Sequence, residues 1–135
     1  MNIKFNKRRK SREQVLQAIY SWLMVNHSIK SLENDFFIMK NKKQYDHKYF
    51  EMLLYGIIRK LNDLNIILNQ HLNRSISAIS KVEYAILLIA CFELTTQINI
   101  PKKVVINEAI QLSKIYGCKN SYKFINATLD KIAFI

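Results

Sequence analysis

The first twelve residues of the chain carry six basic side chains and no acidic one. These basic residues are Lys4, Lys7, Arg8, Arg9, Lys10 and Arg12. A broad apolar stripe at helical spacing follows directly in residues 15–23, and such a stripe must be buried when the chain folds. Positive charge held at a fixed place on a folded body is typical of a surface that binds phosphate groups. A charge run by itself is equally compatible with a solvated tail, so the rest of the chain has to decide between these interpretations.

The whole chain is strongly basic, with a formal net charge of +11 over 135 residues. Its length predicts a single domain with its own core, and its charge indicates a polyanionic partner, either nucleic acid or an anionic membrane. The longest apolar run, residues 85–92, ends at Glu93 and is far shorter than the roughly 20 residues that a membrane span needs. We therefore expect no membrane association. The N-terminus does not have the pattern of a signal peptide, and we expect a cytoplasmic protein.

Catalytic and metal-binding patterns are not found in the sequence. The acidic residues are few and scattered, and two of them, Asp46 and Glu83, stand where they would cap helices. The three histidines share no metal-ligand spacing with one another or with the two cysteines, and two lone thiols indicate a reducing compartment. These residues are His27, His47, His71, Cys91 and Cys118. We expect a protein that is not an enzyme and needs no cofactor or metal ion.

Helices are predicted throughout, because the chain has only two glycines and one proline to form turns. Apolar residues recur at helical spacing, and capping signals mark most helix starts. The first predicted helix begins at Ser11, with a capping box to Gln14, or at Arg8 or Arg9, and a short second helix begins at Ser31. The third begins at Asp46 and its apolar stripe extends to His71, and the fourth begins at Ser80 with a capping box to Glu83. The fifth begins at Pro101 and ends with an αL cap at Gly117, and the last has Asn120 as its N-cap. The expected fold is all-α, with two packed three-helix subdomains of about residues 1–75 and 76–135 in one domain.

Phe124 is the aromatic residue best placed for contact with a nucleic acid. On a helical wheel it lies roughly 120° from the mean direction of the apolar residues of the last helix. An aromatic ring beside Lys123, near a helix N-terminus, can stack on an unpaired base next to a phosphate group. The alternative is that Phe124 packs against the other subdomain. Tyr20 and Trp22 pose the same choice: Trp22 shares the face of the buried stripe, whereas Tyr20 can present its hydroxyl at the surface.

Several segments of the chain resemble the NusB family of transcription antitermination factors. The basic run leads into a helix with Gln17-Ala18-Ile19-Tyr20, where the family has Gln-Ala-Leu-Tyr. The C-terminal part is more specific, and the resemblance covers essentially the whole chain. Its motifs are Ile100-Pro101-x-Lys103-Val104, Ile106-Asn107-Glu108-Ala109-Ile110, Ser121-x-Lys123-Phe124-Ile125-Asn126 and Leu129-Asp130-Lys131.

The resemblance implies an all-helical fold of two three-helix subdomains, and binding to boxA RNA as a heterodimer with NusE, a small-subunit ribosomal protein. This complex helps RNA polymerase pass terminators, chiefly in ribosomal RNA operons. His71 stands where many members have Tyr, so it either stacks on RNA or belongs to the core, and Asn120 stands where Asp is common. The positions implied to bind RNA are Lys7, Arg8, Arg9, Arg12, Gln17, Tyr20, His71, Asn120, Lys123 and Phe124.

A surface for the protein partner is expected near the start of the helix that Ser80 opens. Residues 86–89 are four consecutive apolar residues, more than one helix face can bury against a single core. We therefore expect NusE to contact this helix through Glu83, Tyr84 and Leu87. The protein itself is expected to be a monomer or a weak homodimer.

Two other functions are compatible with these observations. One is a helical adaptor that binds only proteins and whose charge results from AT-biased coding. The presence of three of the five arginines in residues 8–12 argues against this function, because coding bias would spread the basic residues evenly. The other is the RNA-recognition half of a split ribosomal RNA methyltransferase, since a related helical domain precedes the catalytic domain in some of those enzymes.

Overall fold

The computed structural model describes residues 3–25 and 45–134, which form six α-helices and one short 3₁₀ helix without a strand among them. The all-α fold predicted from the sequence is therefore confirmed. The predicted short helix from Ser31 lies outside the described residues. The helices are α1 (Ile3–Val25), α2 (His47–Arg59), α3 (Leu61–His71), the 3₁₀ helix (Ile76–Ala78), α4 (Lys81–Thr96), α5 (Lys102–Tyr116) and α6 (Ser121–Ala133).

Helix α4 is the centre of the fold, because it packs against α1, α2, α3, α5 and α6. Every side chain from Ala85 to Glu93 is buried, and Ile86, Leu87, Leu88 and Ile89 are each at most 1% exposed. The prediction that Leu87 contacts a protein partner was therefore wrong. The consecutive apolar residues are not a surplus, since helices surround α4 and cover all of its faces instead of one.

Local hydrogen bonding defines two helix starts as the sequence predicted. At the start of α4, the Ser80 hydroxyl accepts a hydrogen bond from the Glu83 backbone N–H (3.0 Å), and the Glu83 carboxylate accepts one from the Ser80 N–H (3.2 Å). At the start of α2, the Asp46 carboxylate accepts a hydrogen bond from the Tyr49 N–H at 3.0 Å. Both caps satisfy backbone donors that have no partner within the helix.

Two helix boundaries differ from the prediction. The stripe that runs from Asp46 to His71 belongs to two helices, which are separated at Lys60 (φ −103°, ψ 17°). Ser11 does not begin α1, because the helix already starts at Ile3. The Ser11 hydroxyl instead lies 2.9 Å from the Lys7 carbonyl, one turn back, and accepts a hydrogen bond from the Asp46 N–H (2.9 Å). The basic run is thus part of a helix that is attached to the start of α2.

The turn between α5 and α6 also differs, because Asn120 and not Gly117 has the left-handed conformation. Asn120 is the N-cap residue of α6, as predicted, but it has φ 72° and its side chain makes no capping hydrogen bond, while Gly117 has φ −87°. Asparagine tolerates positive φ better than most residues. Gly117 is required for a different reason: a Cβ there would lie 2.6 Å from the Ser113 carbonyl oxygen.

Gly56 provides a test of packing between α2 and α4. A Cβ at this position would lie 2.3 Å from Cζ of the buried Phe92 ring. We expect Gly56→Ala to lower the free energy of unfolding by about 1 kcal/mol, because an overpacking cost of roughly 1–3 kcal/mol exceeds the helix-propensity gain of about 1 kcal/mol. In a Phe92→Leu background, which lacks the clashing atoms, the same change should become stabilising. Urea unfolding of all four proteins measures both effects, and a stabilising Gly56→Ala in the wild-type background would contradict the described contact.

Candidate nucleic-acid interface

The helical conformation of the basic run sorts its side chains onto different faces of α1. Lys7 and Lys10 are exposed, Arg8 and Arg9 are partly exposed, and Arg12 is only 3% exposed. A flexible tail would present all of these charges to a ligand in the same way. The helix instead presents two lysines outward and directs Arg12 into the protein.

A buried ion cluster surrounds Arg12. Its guanidinium donates hydrogen bonds to the Glu93 carboxylate from Nε (2.9 Å) and Nη2 (2.8 Å), and its Nη1 lies 3.4 Å from Glu108. Arg9 binds Glu108 in turn, through Nε at 3.0 Å and Nη2 at 2.8 Å. The Tyr49 hydroxyl also donates to Glu93. Two arginines thus face two buried glutamates, and the cluster joins α1, α2, α4 and α5 without net charge.

Arg9 and Arg12 stay protonated because their attraction to the glutamates outweighs the cost of burial. Burial lowers the pKa of Arg12, but the hydrogen bonds to Glu93 and the charge of Glu93 together raise it by more than burial lowers it. The pKa of Arg12 therefore lies above its ordinary value. The hydrogen bond to Glu108 raises the pKa of Arg9. Burial and the charge of Glu93 raise the pKa of Tyr49, which keeps its hydroxyl a donor. Arg12 is therefore not available to phosphate, and its predicted role in RNA binding is corrected to a structural one.

A cleft of about 340 Å³ lies beside this cluster, and Arg8 forms part of its wall. The guanidinium carbon of Arg8 lies 4.6 Å from the centroid of the Tyr49 ring, and its Nε is buried without a hydrogen-bond partner. Lys48 lines the same cleft and is exposed. Sequence reasoning missed Lys48, because only the contact between α1 and α2 brings it near the basic run. The cleft is lined by Arg8, Asp46, Lys48, Tyr49, Met52 and Gln97.

Phe124 belongs to a second group of residues, at the start of α6. Its ring is half-buried and packs against the core, and the guanidinium carbon of Arg74 lies 4.2 Å from the ring centroid. Lys123 and Asn120 are exposed beside it. His71, at the end of α3, is half-buried, and its Nδ1 lies 2.9 Å from the Ile67 carbonyl oxygen. Phe124 is thus neither a free surface ring nor a fully buried one, and Arg74 is a neighbour that the sequence did not indicate.

Gln17 and Tyr20 lie on neither of these two surfaces. They line an apolar groove of about 250 Å³ together with Leu16, Val82 and Tyr116. Tyr20 is 38% exposed, as expected for a surface tyrosine, while Trp22 is half-buried and packs against the core. Because Val82 immediately precedes Glu83, the groove adjoins the capped start of α4.

Within residues 3–25 and 45–134 there is no group of three or more His, Cys, Asp or Glu side chains that could hold a metal ion. Burial raises the pKa of the Cys91 thiol to about 12, so this thiol is not a nucleophile at neutral pH. None of the helices in this part of the chain has both the length and the apolar character that crossing a membrane requires.

In its described residues the chain is a small all-helical protein with cationic side chains on its surface. The chain belongs to the NusB family, because the model of that family matches residues 9–134. The transcription antitermination protein NusB of Blochmanniella floridana is 42% identical over 125 residues, which cover 93% of this chain and 91% of that protein. The NusB of Buchnera aphidicola subsp. Baizongia pistaciae is 42% identical over 131 residues, which cover 97% of this chain and 91% of that protein.

Solved structures show the same fold. NusB from T. maritima superimposes with a TM-score of 0.81 at 30% sequence identity, covering 93% of this chain and 89% of that one. A crystal structure of the antitermination factors NusB and NusE in complex with double-stranded RNA gives a TM-score of 0.83 at 24% identity, with 94% and 96% covered. At that identity the second similarity concerns the fold alone.

The buried ion cluster generates a prediction about stability. Arg12→Gln removes one charge and leaves Glu93 buried without its cationic partner, so we expect it to lower the free energy of unfolding by roughly 3–5 kcal/mol. Lys10→Gln removes the same charge from an exposed site and should change it by about 0.5 kcal/mol or less. The double variant Arg12→Met/Glu93→Leu should recover much of the loss. Urea unfolding measures all three, and equal effects of Arg12→Gln and Lys10→Gln would disprove the structural role.

Proposed function

We propose that this protein is a transcription antitermination factor that binds boxA-type single-stranded RNA together with NusE, within the antitermination complex of RNA polymerase. Membership of the NusB family and the names of its relatives support this function. The observation that carries the proposal is the cleft next to the basic run, where Arg8 and Lys48 lie beside the exposed Lys7 and Lys10. The protein acts by binding, without a catalytic step, and works in the cytoplasm.

The four cations of this surface suit a phosphate backbone because each has at least part of its charge in contact with solvent. Arg9 and Arg12 are neutralised by Glu108 and Glu93, so they contribute less to an outer field than the sequence suggests. Lys48 therefore replaces Arg12 among the residues that we propose to contact phosphate groups. Since α1 is attached to α2 and α4, the cations are held in a fixed arrangement before RNA arrives, which lowers the entropy cost of binding.

The protein partner is proposed to dock on the groove between α1, α4 and α5. Leu16, Val82 and Tyr116 supply apolar surface there, and Gln17 supplies hydrogen-bonding groups. Glu83 follows Val82 of this groove in the chain and contributes a negative charge on a protein with a net positive charge. A ribosomal protein carries basic residues for its own RNA, so Glu83 and NusE are complementary in charge.

The salt dependence of RNA binding tests the cationic surface. Replacing Arg8 and Lys48 together with Ala should flatten the slope of log K against log salt by about 1.4, taking about 0.7 for each contact with a single strand. A matched control is Arg59→Ala/Lys60→Ala, which removes two exposed charges elsewhere and should leave the slope nearly unchanged. Fluorescence anisotropy with boxA-like and scrambled RNA, with and without NusE, measures the slopes. Identical slopes for the two double variants would show that the cleft does not contact the RNA.

Glu83→Gln tests the partner surface without disturbing the helix cap. Glutamine can still accept the hydrogen bond from the Ser80 N–H, so helicity should be retained while the charge is lost. We expect NusE to bind several-fold more weakly, and RNA binding by the isolated protein to be unchanged. Asp63→Asn, which removes an exposed acidic charge from α3, is the control. Isothermal titration calorimetry with NusE measures the affinities. Equal affinities of the two variants would show that NusE docks on another surface.

A further inference from the structure

Arg74 is an exposed arginine that lies on an aromatic ring. It follows α3, in the segment that leads to the 3₁₀ helix, and its guanidinium carbon is 4.2 Å from the centroid of the Phe124 ring on α6. The same segment contacts α6 a second time, where the Lys131 ammonium lies 3.5 Å from the Asn73 side-chain oxygen. Two contacts therefore hold the segment and α6 together.

The position of Arg74 changes what Phe124 can offer to a nucleic acid. Part of the Phe124 side chain packs against the core, and the guanidinium covers the ring where a base would otherwise stack. A guanidinium is itself planar, and stacks on aromatic rings as well as on RNA bases. Since Arg74 is exposed, the side of its guanidinium that faces away from Phe124 is open to solvent.

We infer that Arg74 is a base-stacking residue of the RNA site, with Phe124 as its support. An unpaired base stacks on the outer face of the guanidinium, so that ring, guanidinium and base form three layers. The inference rests on the proposed function, and it replaces direct stacking on Phe124. Lys123 and Lys131 lie on the same helix and supply positive charge for the adjoining phosphates.

The stack requires an arginine and not merely a positive charge. Lysine carries the same charge, but it is a compact ammonium without a planar face on which a base can stack. Stacking and simple charge attraction therefore predict different results for Arg74→Lys. A contact that only stabilises the fold predicts a third result, in which thermal unfolding changes and RNA affinity does not.

The test is the affinity of Arg74→Lys for boxA-like single-stranded RNA and for a series in which each RNA lacks one base. We expect the variant to bind the complete RNA at least about five-fold more weakly, in line with the effect of losing one stacked base. The salt slope should stay unchanged, since the charge is kept. For the RNA that lacks the stacked base, the variant and the wild type should bind equally. Arg59→Lys is the matched control, because Arg59 is exposed at the end of α2 and, among the described residues, does not lie on an aromatic ring as Arg74 does.

Other outcomes separate the possible failures. If the wild type binds RNA and Arg74→Lys binds it equally well, the inference is wrong while the proposed function stands. If the variant is weaker by the same factor for every RNA in the series, Arg74 contacts the phosphate backbone and the stack is also wrong. If the wild type does not bind these RNAs at all, the proposed function fails and the inference fails with it. Phe124→Leu, which keeps an apolar side chain but removes the ring, should weaken binding to the same base-dependent extent.

Discussion

The ion cluster of Arg9, Arg12, Glu93 and Glu108 is the interaction on which the arrangement of the site depends. It lies where α1 meets α4 and α5, and two of its bonds connect residues 81 and 99 positions apart in the chain. A buried charge is costly unless it is paired, so the cluster favours the register of α1 in which Arg12 reaches Glu93 and Glu108 and Arg9 reaches Glu108. The outward direction of Lys7 and Lys10 follows from this register, since they lie on the remaining faces of the same helix turn.

The basic run therefore has two functions that the sequence does not separate. Its inward residues fix the helix, and its outward residues provide the cationic surface. This division explains how a protein with a net charge of +11 can bury Arg12 without repulsion, because the only described carboxylates that are fully buried, Glu93 and Glu108, face it. A comparison of basic residue counts among such proteins would overestimate the charge available to a ligand.

Some features that depend on neighbouring residues could be predicted from the sequence, although the helix start expected at Ser11 and the αL cap expected at Gly117 were not found. Features that depend on distant residues could not be predicted. The capping box of Ser80 and Glu83 and the cap at Asp46 use groups only three residues apart, and both were predicted correctly. The burial of Arg12 depends on its ion pair with Glu93, and the burial of Leu87 depends on helices from both halves of the chain. Neither could be inferred from the local sequence pattern. The placement of Arg74 on Phe124 has the same origin, because a contact between residues 50 positions apart leaves no periodic signal. The break at Lys60 was missed because the apolar stripe continues across it with little change in phase.

The central position of α4 has a consequence for the synthesis of the protein. Helix α4 begins at Lys81, so α1, α2 and α3 emerge from the ribosome before the helix that covers their apolar faces. The ion pairs of Arg12 and Arg9 must wait longer still, until Glu93 and Glu108 have been added. The first half of the chain thus spends part of its translation with apolar surface and unpaired arginines exposed. A nascent chain with this topology therefore completes its packing late, and α1 takes its final place only after most of the chain has been made.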